Sequence, residues 1–439
     1  MSFEYENLEN LNIQLIDGDR GKNYPKQSEF QESGYCLFLS AKNVTKSGFQ
    51  FSEKVYVSEE RHNLLRAGKL ERYDIVLTTR GTIGNVAFYD NSVLDDVVRV
   101  NSGMLILRAN TTVWNPRFLY FLFTSKIIQE QISSLTSGSA VPQLPAKDLR
   151  KFLLPKVPMG VQNYIVKVIG DLSDKLKIND QTNQTLEEMA QAIFKSWFVD
   201  FDPVKAKMNG EQPEGMDAAT ASLFPEKLVE SELGLIPEGW EVGELSDLMD
   251  FNPKRTLKKG TVAPYLDMKN MPTAGHLALD IYDREMGSGT KFVNGDALLA
   301  RITPCLENGK TAFVDFLEDE QVGWGSTEYI VMRSKSDSYK YFSYFMARFE
   351  PFRKFAIQSM TGTSGRQRAQ AKTVQTMPFV IPPLSILEKF DELIAANMQL
   401  IKRHGDENKT LAELRDTLLP KLLSGEIELG QAQELAEVE

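Results

Sequence analysis

Cysteine and histidine are scarce in this sequence. Its 439 residues include two cysteines, Cys36 and Cys305, and three histidines, His62, His276 and His404. Two cysteines cannot frame a disulfide scaffold and suit a reducing compartment. Scattered histidines with no CxxC pair make structural zinc a poor expectation. No apolar run reaches the roughly 18 residues that a bilayer-spanning helix needs. The acidic, polar start MSFEYENLEN is unlike a secretory signal. The expectation is a cytoplasmic chain with no membrane partner. An excess of positive charge is missing too, since the formal net charge is −10. Such a surface repels nucleic acid as a whole, so binding would need local basic faces or partners that supply charge.

Catalytic signatures are absent as well. Gly309-Lys310-Thr311 ends like a phosphate-binding loop, but Pro304 stands where the first loop glycine belongs. The stretch WNPRF (114–118) is faintly like an aminomethyltransferase motif, yet Arg117 replaces its second proline. Asn115-Pro116 reads better as the lead-in to a helix. There is no GxSxG elbow and no HExxH. The carboxylates are spread along helical and linker-like stretches, where a solvated face is their default. The expectation is a chain that is not an enzyme and holds no metal or cofactor.

What is present is a duplication. LSAKNVTKSG (39–48) and LDMKNMPTAG (266–275) share L-x-x-K-N-x-x-x-x-G. YDIVLTTRGTIGNVAF (73–88) matches GDALLARITPCLENGKTAF (295–313), setting Arg80 against Arg301. NSGMLILRA (101–109) answers GSTEYIVMRS (325–334), with Arg108 against Arg333. RFLYFLFTS (117–125), LTSGSAVPQL (135–144), FLLPKVP (152–158) and NQTLEEM (183–189) each have an ordered counterpart at similar spacing. Seven matches in one order, at offsets of 221 to 227, are a tandem repeat.

Within a copy, short β-rich runs such as YDIVLTT and EYIVMRS are bounded by Gly, Asn and Asp. An amphipathic aromatic helix follows, at about 116–134 in the first copy. Each copy then ends in a long helix introduced by proline (Pro155 and Pro158; Pro382 and Pro383). Both helices carry an apolar seam with steps of three and four and asparagine near its centre, Asn183 in one and Asn408 in the other. A narrow seam with polar interruptions is coiled-coil patterning. The helices are therefore expected to pair with each other, and the chain order makes that pair antiparallel. The modules would then be related by a pseudo-twofold axis, at opposite ends of helices roughly 50 Å long at 1.5 Å per residue. The plain alternative is that each helix packs on its own module.

Polar loops in each module suggest recognition. Arg80 and Thr82 lie in one, with Arg301 and Thr303 in its second copy. Ser137 and Ser139 lie in another, answered by Thr363, Ser364, Arg366, Gln367 and Arg368. Arginine and glutamine can read base edges with two hydrogen bonds. Lys254 and Arg255 belong to FNPKRTLKKG, which has four cations and no acid. Lys42-Asn43 and Lys269-Asn270 complete the candidate DNA contacts. For each, an ordinary turn or solvated surface is the bland alternative.

The sequence resembles the specificity subunit of Type I restriction–modification enzymes. The resemblance covers essentially the whole chain and rests on AKNV and MKNM, VLTTRGTIG, LPKVPMGVQNYI and TLAELRDTLLPKLLSGEI. It implies an α+β chain with two tandem target recognition domains. Two long spacer helices would form an antiparallel coiled coil, pseudo-twofold symmetric. The implied bounds are 1–156 and 239–381 for the domains, 157–200 and 382–425 for the helices, 201–238 for a linker and 426–439 for a tail. Each domain would read one half of a bipartite, asymmetric sequence in double-stranded DNA. Two methyltransferase subunits and restriction subunits would be the partners, carrying S-adenosylmethionine, ATP and magnesium. Phe194, Trp197 and Phe198, with Leu418, Leu419 and Leu422, are the candidate docking residues, with helix–helix core as the alternative. A bivalent protein–protein scaffold and a catalytic nuclease or methyltransferase are the competing functions.

Overall fold

The run YDIVLTT shows no apolar–polar alternation because its strand is buried on both faces. In the computed structural model, which describes residues 3–51, 53–136, 143–278, 280–363, 365–424 and 426–427, Ile75–Thr78 is a central strand. Ile75 and Leu77 enter one hydrophobic cluster, while Val76 enters another on the opposite face. Met104–Ala109 beside it divides the same way, Leu105 and Leu107 to one side, Met104 and Ile106 to the other. Successive strand side chains point to opposite faces, so a sheet covered on both sides reads as a continuous apolar run.

The chain forms two units, residues 1–176 with 409–439, and residues 177–408. In the first, an antiparallel sheet has the order Ile13–Asp17, Met104–Ala109, Ile75–Thr78, Val86–Phe88. A smaller sheet has Tyr56–Val57 antiparallel and Val98–Val100 parallel to Cys36–Leu39. Tyr5–Asn7 pairs with Leu153–Pro155 and so closes the module.

The second unit repeats this design. Its main sheet has the order Met249–Phe251, Tyr329–Ser334, Ala297–Ala300, Thr311–Phe313. Its smaller sheet again has one parallel pair, Val262–Leu266 with Gly323–Gly325, flanked by Tyr282–Glu285 and Thr290–Phe292. Glu241–Glu244 pairs with Pro378–Ile381 as its closing pair. The two-faced burial recurs, with Ala297, Leu299, Ile330 and Met332 in one cluster and Leu298, Ala300, Tyr329 and Val331 in another.

The ladders correct the alignment of Arg80 with Arg301. Met104 pairs with Thr78, and its counterpart Tyr329 pairs with Ala300. Thr78 therefore corresponds to Ala300, and Arg301 corresponds to Thr79. A buried ion pair confirms this register. Arg108 bonds Asp74 at 2.7 Å, and Arg333 lies 3.4 Å from Asp296, which is Asp74 moved by the same offset. The amides of Glu71 and Val293 each donate to their aspartate at 2.8 Å. Tyr73 and Gly295, also equivalent, both have positive φ, 75° and 88°.

Two further expectations are refined. The aromatic helix is two helices, Pro116–Thr124 and Lys126–Thr136, broken at Ser125, whose ψ is 156°. Its counterpart breaks likewise, into Phe342–Arg348 and Glu350–Gln358 at Phe349. There Pro351 lacks an amide and can only start a helix. The stretch 201–238, read as a linker, is built. It holds helices Asp202–Met208 and Ala218–Ser222 and a hairpin of Leu228–Ser231 with Gly234–Pro237. Phe201, Val204, Phe224 and Ile236 are buried in the second unit's core, which is what folds a segment rich in Pro, Gly and acids.

The long helices are Met159–Lys195, extended by a π-helical turn Ser196–Asp200, and Leu384–Ser424. Both begin just after the expected prolines. Every position on both seams is buried or half-buried. Each unit holds a segment of each helix, and the segments pair. In the second unit Asn179 donates to Asn408 at 2.8 Å, and Asn183 lies 2.8 Å from His404. Four residues up one segment match four down the other, so these segments are antiparallel. In the first unit Ile165, Val168 and Ile169 share one cluster with Leu418, Leu419, Leu422 and Leu423.

Candidate nucleic-acid interface

The two KN motifs form the same local structure. Ala41–Asn43 and Met268–Asn270 are each a single 3-10 turn after a strand. Asn43 is buried: its side chain accepts from the Ser40 amide at 3.0 Å and donates to the carbonyls of Gln50 and Glu53. Asn270 donates to the Asp280 carbonyl at 3.0 Å. Both asparagine side chains are engaged in holding the turn. Lys42 and Lys269 are exposed. Lys42 pairs with Glu53 across a solvated 3.2 Å ion pair, worth little in water.

Arg80 and Thr82 are exposed at the end of the strand Ile75–Thr78. Arg80 forms an isolated bridge with Gln143. Beside it a groove of about 200 Å³ is lined by Asp17, Arg20, Thr79 and Gln143 among others. The second module places its arginines differently. Arg301 is half-buried, 3.7 Å from Glu328, and Arg368 grips the same carboxylate through Nε and Nη2 at 2.9 and 2.8 Å. That grip raises the Arg368 pKa. Arg255 donates to the fully buried Asp296 at 3.0 Å. Arg255, Arg301 and Arg368 are thus each engaged by a carboxylate within the fold. Thr303 is half-buried, its hydroxyl donating to the Gln367 carbonyl at 3.4 Å. Lys254, Thr363 and Arg366 are exposed, and Gln367 is half-exposed. Ser137, Ser139 and Ser364 lie outside the described residues.

The candidate docking residues are core. Phe194 and Phe198 pack with Phe342 and Phe390, and Trp197 meets Phe224 at 5.1 Å edge-on. Leu418, Leu419 and Leu422 are buried in the first unit. An apolar helix face marks burial, and here the modules themselves cover it. The structure thus places these six residues where the helix–helix core alternative puts them.

Two clusters escaped the sequence reading. His276 is fully buried between two carboxylates, with Nε2 3.2 Å from Asp315 and Nδ1 3.9 Å from Glu187. Glu187 also accepts from Tyr344 at 2.5 Å and from Gln191 at 3.1 Å. Burial alone would lower the histidine pKa, but the two carboxylates outweigh it and raise it to about 9. Glu187 moves down: burial opposes its charge, and His276 and Tyr344 outweigh burial. The cluster fastens Glu187 of the first long helix to the module. The other cluster is aromatic: Tyr265 lies 4.5 Å from Trp324, with the Arg284 guanidinium over both rings. Only the alternation around YLDM and VGWG could have hinted at it.

The arrangement suits binding more than chemistry. Among the described residues no group of three His, Cys, Asp or Glu side chains could hold a metal. Lys310, in the phosphate-loop look-alike, instead donates to the Met268 carbonyl at 2.6 Å and props the second KN turn. No helix is long and apolar enough to cross a membrane among the described residues.

Known proteins place this geometry. The chain is 25% identical to the Type I restriction enzyme HindI specificity subunit of Haemophilus influenzae, over 93% of this chain and 98% of that one. It is 24% identical to the MjaIX specificity subunit of Methanocaldococcus jannaschii, covering 88% of this chain and 87% of that one. The crystal structure of a Type I restriction–modification S subunit from M. genitalium has the same fold, at TM-score 0.53 and 15% identity, covering 96% of each chain. Residues 12–188 and 237–410 each match the family described as Type I restriction modification DNA specificity domain. With its repeated sheets and paired helices accounted for twice over, the chain belongs to that DNA specificity family and carries two of its domains.

Proposed function

We propose that this chain is the subunit that gives a Type I restriction–modification system its DNA sequence, without catalytic chemistry of its own. Each unit reads one half of a bipartite, asymmetric target in duplex DNA. Two methyltransferase subunits and restriction subunits act through it, and S-adenosylmethionine, ATP and magnesium are theirs to bind.

One observation carries this reading: a single sheet scaffold occurs twice and presents different side chains at the same rim. The strand end that offers exposed Arg80 in the first unit offers Ile302 in the second, because the register shifts Arg301 inward. Same frame with different edge is what two unlike half-sites require. Bases are read by side-chain donors and acceptors, and phosphate contacts only set position. On this reading Lys42, Arg80 and Thr82 in one unit, and Lys254, Lys269, Thr363, Arg366 and Gln367 in the other, face DNA. The acidic total charge leaves part of the backbone grip to the partner subunits.

The test is a genome methylation map made with and without this chain, beside its methyltransferase. The expected result is methylation at two unlike half-sites around an unread spacer, lost with the chain. Methylation that persists without it, or falls on an uninterrupted palindrome, defeats the proposal.

A further inference from the structure

The smaller sheet of the second unit has a face whose own strands carry no DNA contact assigned above. Strand register settles which residues share it. Arg284 is opposite Ala263, Tyr282 is opposite Tyr265, and Trp324 stands beside both Tyr265 and Lys291. Directly opposed residues point to one side, so two cations and three aromatic rings share that face. Asp283 and Glu285 alternate with Arg284 and point to the other side. Their opposites are Pro264 and Val262.

Arg284 is held by rings. Its guanidinium lies 4.7 Å from the Tyr265 centroid and 5.5 Å from that of Trp324, and it is exposed. No carboxylate lies within ion-pair distance of it among the described residues, whereas Arg255, Arg301, Arg333 and Arg368 all have one. Packing over aromatic rings positions a guanidinium without an ion pair to take up its charge. The basic loop FNPKRTLKKG is fastened to the same place, since Leu257 packs on the cluster of Ala263, Tyr265, Met286 and Trp324. The Gly260 amide donates to the Met286 carbonyl at 2.8 Å, and Met286 returns a bond to Thr261. Lys258 and Lys259 are thereby carried, exposed, to the end of the strand that bears Arg284.

We propose that this face is a phosphate-binding surface for duplex DNA, with Arg284 as its fixed contact and Lys258, Lys259 and Lys291 around it. It rests on the DNA-reading function above and adds a backbone grip distinct from base readout. Duplex DNA is the occupant favoured because none of these four cations is held in an ion pair among the described residues, on an otherwise acidic chain. A preorganised guanidinium suits a phosphate oxygen pair.

The experiment uses the full chain with its methyltransferase subunits and a fluorescein-labelled duplex carrying the mapped target. Affinity is measured across a salt series for the wild type, for Arg284→Ala, and for Lys258→Ala with Lys259→Ala. Each lost phosphate contact should lower the slope of log affinity against log salt by ~0.9. Binding should weaken alike on target and scrambled duplexes, and the methylated sequence should not change. The lysine variant guards against a folding artefact, since Lys258 and Lys259 cover no core. Slopes that stay at the wild-type value in both variants overturn the inference, as does an altered methylated sequence in Arg284→Ala, which would mean base readout. A wild-type complex that methylates no bipartite site defeats the underlying reading instead, and takes this surface with it.

Discussion

His276 and Asp315 lie 3.2 Å apart, with the imidazole fully buried and Glu187 on its other side. A buried charge of this kind makes stability depend on pH. The histidine pKa is raised from 6.5 to about 9. Its contribution is therefore complete below about 6.5 and lost as pH climbs through about 9. Glu187 is shifted down from 4.5, so its contribution is present above that value and lost on acidification. The second unit should be steadiest between these two ordinary values. It should lose on the order of 2–3 kcal/mol toward pH 10. Thermal unfolding from pH 6 to 10 checks this, and His276→Gln should flatten the alkaline slope. An unchanged slope in that variant would mean the histidine is not charged.

Asp74 takes the two-pronged grip of Arg108 while almost fully buried. Removing Asp74 takes the charge-assisted bonds from Arg108, which stays partly exposed and keeps its ion pair to Glu71, and costs about 1–3 kcal/mol. Asp74→Ala should lower the urea midpoint of the first unit's transition to that extent. Asp74→Asn keeps an acceptor for the Glu71 amide and should cost less. Equal losses in both would show that the carboxylate's charge, and not its volume or the bond to the Glu71 amide, sets the effect.

Gly295 occupies the position that Tyr73 fills in the first copy, both at positive φ. At Gly295, however, an added Cβ would come within 2.6 Å of the Arg333 guanidinium, which serves Asp296. Gly295→Ala should destabilise the second unit by about 1–3 kcal/mol through backbone strain and displacement of that arginine. Calorimetry of the variant checks this, and an unaltered transition would show that Arg333 can yield.

Much of the fold was legible because its causes are local. Strands buried on both faces give unbroken apolar runs, and the helix seams show as spacing. The KN turns were visible as a motif, but the sequence could not say that Asn43 and Asn270 are consumed in making the turn. Aligning Arg80 with Arg301 was natural in a string of letters. Only the hydrogen-bond ladder shows that the longer second loop begins one residue earlier, and a one-residue slip turns a side chain to the other face. The partners of Arg301 and Arg368 were hidden for another reason. Glu328 comes from a neighbouring strand edge, and long-range pairing leaves no spacing signature. Phe194 and Trp197 marked an apolar face correctly, but a periodicity does not say what covers it.

That covering decides how a domain exchange should be made. The second module closes on itself through Glu241–Glu244 and Pro378–Ile381, so residues 241–381 form a transferable piece. The piece includes His276 and Tyr344, which engage Glu187 on the recipient's helix, and Phe342 and Phe345, which pack on Phe194. A relative's module with unlike residues there would leave Glu187 buried with only Gln191 of its own helix as a partner, a cost of several kcal/mol. Exchange of 241–381 for a module that keeps a histidine and a tyrosine at these places should change the second half-site of the methylation map and leave the first intact. The same exchange with those two residues replaced by Leu and Phe should fold poorly until Glu187→Gln or Glu187→Leu is added. Half-sites that both change would mean that the units do not read independently. A rescue that Glu187 substitution fails to give would mean that the aromatic packing, and not the buried charge, seats the module on its helix.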